Sequence, residues 1–71
     1  MSVNYNRLWK LLIDKNMKKT DLIYTCNLSS NVIARLSKNQ YVSMDSIDKI
    51  CQYFQCAIED IIEVELNKND F

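Results

Sequence analysis

Ser30, Asn31, Arg35 and Lys38 lie close together in the chain and, wound into a helix, fall on one face with Ala34 between them. Each carries a hydrogen-bonding group or a positive charge, and no acid shares the face. Such a surface suits a polyanion rather than acid–base or nucleophilic chemistry. The chain offers little for catalysis elsewhere. It has no His, no Gly from which to build a phosphate-cradling loop, and no acidic pair in an evident pocket, so the expectation is that it is not an enzyme. Cys26, Cys51 and Cys56 are odd in number and form no C-x-x-C pair. With no His to complete a zinc site, they read as small apolar core residues, and no metal or other cofactor is expected.

The elements that must position this face can be argued residue by residue. A predicted helix over residues 19–26 has to stop before another begins near Ser29. Asn27 sits at the corner, and Asn is the best substitute for Gly in the left-handed conformation that ends helices. Ser29 offers its hydroxyl to the orphan N–H groups of the next helix, while Leu28 before it can staple onto Ile33. Within that helix Ile33 and Leu36 form the buried stripe. Two short helices around a tight corner, the second opening with exposed Ser, Asn and Arg, is how a DNA-reading helix-turn-helix is written.

The rest of the chain also reads as helical, because apolar residues recur at threes and fours and no stretch sustains period-two alternation. A first helix over residues 4–15 turns Leu8, Trp9, Leu11 and Leu12 inward, with Asn16 ending it. Residues 39–42 form a polar loop. Ser43 caps a helix whose Met44, Ile47, Ile50, Cys51 and Phe54 make an apolar stripe, and Asp45 suits its positive end. A fifth helix over residues 58–64 presents Ile58, Ile61 and Ile62. The expected fold is all-α: one five-helix domain over residues 1–71, with its core at about 5–64 and a C-terminal tail at 65–71 that frays from residue 67.

At 71 residues, 48% of them hydrophobic and 25% charged, the chain is an ordinary small globular domain. It is short enough to bury only roughly 60–65% of the surface its unfolded chain exposes. No run reaches membrane-spanning length, and the start lacks the apolar core of a secretory signal, which points to the cytoplasm. Net charge is zero, yet its distribution is lopsided. Residues 1–40 hold seven cations against two acids, a balance of +5, whereas residues 41–71 hold two against seven, −5. A positive half carrying the reading helix beside a negative half is expected to orient the domain on a duplex.

The order and spacing of LWKLLIDKNMKKTDL, NLSSNVIARLSK, VSMDSIDKIC and CAIEDIIE resemble the Cro/lambda-repressor-type helix-turn-helix family, over about Tyr5 to Val64. The resemblance is closest to compact single-domain bacterial and phage-like regulators. It implies a five-helix DNA-binding domain whose second helix positions the third in the major groove. It further implies a small repressor that binds a palindromic operator, as a homodimer at least when on double-stranded DNA. Carried over by position, it puts Ser30, Asn31 and Arg35 at base edges and Val32 near a thymine methyl. Asn can bond an adenine edge, and Arg a guanine edge, through two atoms each. The same carry-over puts Lys18 and Lys19 at phosphates on one side of the pair. On the other side it puts Lys38, Asn39 and Gln40 there, with Tyr41 and Ser43 as further candidates.

Four positions depart from the family pattern. Ile23 stands where Ala or Gly usually lets the two helices approach, and requires a wider crossing or a small neighbour such as Ala34. Asn27 replaces the corner Gly. Lys18 and Ala57 stand where side chains usually cap helices two and five, predicting looser starts for both. The competing function is a protein-interaction module, an antitoxin or adaptor, that binds its partner through the acidic C-terminal half with Val64, Leu66 and Phe71.

Overall fold

In the computed structural model, which describes residues 2–65, the chain opens with a strand where the sequence predicts the start of a helix. Strand β1 (Ser2–Asn4) pairs antiparallel with β2 (Glu63–Glu65), in the register Ser2 to Glu65, Val3 to Val64 and Asn4 to Glu63. Between them run α1 (Asn6–Asp14), α2 (Asp21–Thr25), α3 (Ser30–Ser37), α4 (Met44–Phe54) and a single 3₁₀ turn, Ile58–Asp60. The described residues thus hold four α-helices, not five, and a two-stranded ribbon joins the two ends of the chain. No helix among them is long and apolar enough to cross a membrane. Glu65, expected to begin the tail, is instead the last residue of β2, and the rest of that tail, with Leu66 and Phe71, lies outside the described residues.

Asn4 explains why α1 starts late. Its buried side chain accepts a hydrogen bond from the Asn6 N–H at 3.2 Å, launching the helix two residues on. Its Nδ2 donates across the ribbon to Glu65 at 2.6 Å and Glu63 at 3.3 Å. The predicted fifth helix fails for a related reason. Ile58, Ile61 and Ile62 have helical spacing, but the backbone leaves the helix after one turn so that residues 63–65 can pair with β1. Ile61 is fully buried, whereas Ile58 stays exposed.

In a chain without Gly, all four helices end at side-chain-bearing residues in the left-handed region: Asn16, Asn27, Asn39 and Gln55, each with φ between 55° and 60°. After α1 the Met17 N–H reaches the Leu12 carbonyl at 2.8 Å and the Asn16 N–H that of Ile13 at 3.0 Å, a complete Schellman ending. The ending of α3 repeats it, with Gln40 to Arg35 at 2.9 Å and Asn39 to Leu36 at 3.2 Å. The sequence points to the first two Asn turns; Gln55, a poor left-handed residue, gives no such signal.

The core collects Leu8 and Leu12 of α1, Leu22 of α2, Leu28, Ile33 and Leu36 around α3, and Ile47 and Ile50 of α4, closed by Val3, Tyr5 and Ile61. Trp9 and Leu11 pack half-buried against it, as expected. Met44, expected in the α4 stripe, is instead largely exposed at the helix's first position. Cys26 is buried, and Cys51 and Cys56 are half-buried against the core. Burial pushes all three thiols above their ordinary range, which disfavours the reactive thiolate.

Candidate nucleic-acid interface

The start of α3 is built as its sequence predicts. Ser29 is the cap, its hydroxyl accepting from the Val32 N–H at 3.3 Å. Leu28 and Ile33 are both buried in the same cluster, as a staple requires. With Ile33 and Leu36 turned into the core, Ser30, Asn31, Ala34, Arg35 and Lys38 are left exposed on the other side. Among the described residues none of these side chains has a hydrogen bond or ion pair, so their donors are available to a partner. Val32 is half-buried against the core, which leaves only part of its side chain for an outside contact.

The approach to α2 is tighter than the predicted helix over residues 19–26. Lys18 to Thr20 form 3₁₀-type turns, with Asp21 N–H to the Lys18 carbonyl at 3.0 Å and Leu22 N–H to that of Lys19 at 3.1 Å. Lys18 cannot cap with its own side chain. Instead the Asp21 carboxylate reaches back to the Lys18 N–H at 2.8 Å, supplying half of a capping box. Asp60 does the same for Ala57 at 3.0 Å. Lys18 and Lys19 are both exposed, and the Lys19 ammonium lies 4.1 Å from the centroid of the Trp9 ring. Ile23 is half-buried against the core, and Ala34 is exposed.

Beyond α3, Lys38, Asn39, Gln40 and Tyr41 are all exposed. Ser43 is differently committed: its hydroxyl caps α4 through the Ser46 N–H at 3.2 Å and also lies 3.1 Å from the Ser46 hydroxyl. One acceptor site of its hydroxyl is therefore taken by the cap, while the residue itself stays exposed. Sequence reasoning misses Tyr5 in this region. The residue is buried, and its hydroxyl donates to the Gln40 carbonyl at 2.7 Å, tying the loop after α3 to the N-terminal segment. Burial, reinforced by Tyr41, pushes this phenol above its ordinary range, which favours the neutral, donating form. A lone Tyr before a helix gives no sequence signal for that bond.

The charge asymmetry is partly spent inside the fold. Arg7, counted in the positive half, donates to the Glu59 carbonyl at 2.7 Å and pairs with Glu63 at 3.4 Å. The cations of the α2–α3 region, Lys18, Lys19, Arg35 and Lys38, have no carboxylate partner among the described residues.

The model of the Cro/C1-type HTH DNA-binding domain family matches residues 7–67, so β1 and Tyr5 lie just outside the matched stretch. No curated protein matches the chain. Among solved structures, the crystal structure of the transcriptional regulator VanUg is similar. It is 44% identical, with a TM-score of 0.87, and the match covers 93% of this chain and 88% of that one.

Proposed function

The chain belongs to the Cro/C1-type helix-turn-helix DNA-binding family, and from that membership we propose that it is a sequence-specific transcriptional regulator, a small repressor occupying an operator through α3 in the major groove. One observation carries the proposal: the outer face of α3 is exposed, free of acids and unbonded among the described residues, on a helix fixed by its own cap and buried stripe. Asn31 and Arg35 supply two-atom contacts to adenine and guanine edges, each worth about 1–3 kcal/mol of discrimination. Ser30 and the exposed part of Val32 complete the base contacts. Lys18 and Lys19 on one flank, and Lys38, Asn39, Gln40 and Tyr41 on the other, fix the register on phosphates. Ser43 serves this grip indirectly, by capping α4 where the loop ends. Similarity to a transcriptional regulator over nearly the whole chain supports the same reading.

Three or four base-reading side chains give one copy little specificity, so a palindromic operator bound by two copies is part of the proposal. Binding-site selection from a random duplex library tests it. The expected result is a palindrome whose enrichment is lost in the Asn31→Ala/Arg35→Ala double variant. Weak salt-sensitive binding without enrichment would overturn it in favour of a protein-interaction module.

A further inference from the structure

Resting on that reading, we propose that Tyr5 and Trp9 are positioning residues for the DNA backbone grip: they brace the two phosphate-facing flanks, before α2 and after α3, without neutralising either. The two aromatics sit one turn apart, joined by the Trp9 N–H to the Tyr5 carbonyl at 3.1 Å. Trp9 carries the Lys19 ammonium on its ring face at 4.1 Å. An uncharged ring attracts a cation through its quadrupole and restricts it while leaving its full charge for a phosphate. A carboxylate would cancel that charge, as Glu63 does for Arg7 at the other end of the molecule.

Tyr5 works on the opposite flank. The Gln40 N–H is committed to the Arg35 carbonyl at 2.9 Å and the Gln40 carbonyl to the Tyr5 hydroxyl at 2.7 Å. Both polar groups of that peptide segment are thereby locked, while the side chains of Lys38, Asn39, Gln40 and Tyr41 remain exposed. The loop is held by its backbone and offers its side chains outward. Such preorganisation lowers the ordering cost of binding and carries no sequence information.

Double-mutant cycles on the duplex recovered by selection test this, at a temperature where circular dichroism shows every variant folded. Trp9→Leu should weaken binding about two- to five-fold but have no further effect in a Lys19→Ala background, and Trp9→Phe should restore most of the loss. Tyr5→Phe should cost about three- to ten-fold, much less in a Lys38→Ala/Gln40→Ala background. Neither should alter which base pairs are preferred. Losses equal in both backgrounds, or absent from otherwise wild-type protein, would overturn the brace and leave the regulator reading standing. A wild-type protein that holds no duplex would overturn both.

Discussion

The polar side chains of α3 and those of the β1–β2 ribbon are of similar kinds but in opposite states. On the ribbon, Asn4 bonds Glu63 and Glu65 and Ser2 bonds Glu65, while Arg7 of α1 beside it bonds Glu63 and the Glu59 carbonyl. These groups satisfy one another and close the chain on itself. On the outer face of α3, Ser30, Asn31, Arg35 and Lys38 are exposed with nothing bonded to them among the described residues. Polar groups that fold a domain find partners within it, whereas those that recognise something else are left with capacity to spare. The contrast separates the two regions more sharply than charge does, since Arg7 and Arg35 carry the same guanidinium, the first bonded to Glu59 and Glu63 and the second without a partner among the described residues.

The largest expected effect removes both regions together. Leu36 is fully buried beneath the exposed face of α3, and Leu36→Ala should cost about 2–5 kcal/mol in urea unfolding, a large share of a small domain's stability. A loss below about 1 kcal/mol would mean that α3 is not anchored through its buried stripe. Asn4→Ala should cost about 1–3 kcal/mol, because it removes a buried side chain's hydrogen bonds to Glu63, Glu65 and the Asn6 N–H, and should leave base preference untouched. Altered base preference would erase the distinction between the regions. Ser29→Ala should cost about 1 kcal/mol through the lost cap, measurable as a lower midpoint at constant m-value. At the small end, Gln55→Gly should raise stability by up to about 1 kcal/mol, since Gln55 occupies the left-handed region at φ 55°. A loss instead would assign the Gln55 side-chain bond to the Gln52 carbonyl more weight than the backbone strain.

Much of the α3 region is legible in the sequence because its determinants are local. Ser29, Leu28 and Ile33 act within five residues of one another, and Asn27 ends a helix by its own backbone preference. The ribbon is not legible, because its strands are three residues long, too short for alternation to register, and pair across nearly the whole chain. The same pairing truncates the predicted fifth helix, and together with the local Asn4–Asn6 bond it moves the start of α1. Tyr5 escapes notice because its value lies in one hydrogen bond to a residue 35 positions away. Met44 shows the limit of periodicity: it has the spacing of the α4 stripe, yet lies at the helix's exposed end.

The most direct measurement is the binding of Arg35→Ala and Lys38→Ala to the selected duplex and to its single-base-pair variants, by fluorescence anisotropy across a range of salt. If α3 reads bases and its flank grips phosphates, Arg35→Ala flattens the preference at one base pair, a loss of about 1–3 kcal/mol of discrimination. Lys38→Ala weakens every duplex alike and reduces the salt slope by about one. An Arg35→Ala protein that keeps full discrimination at every position, with only its salt slope reduced, would contradict base reading by this face.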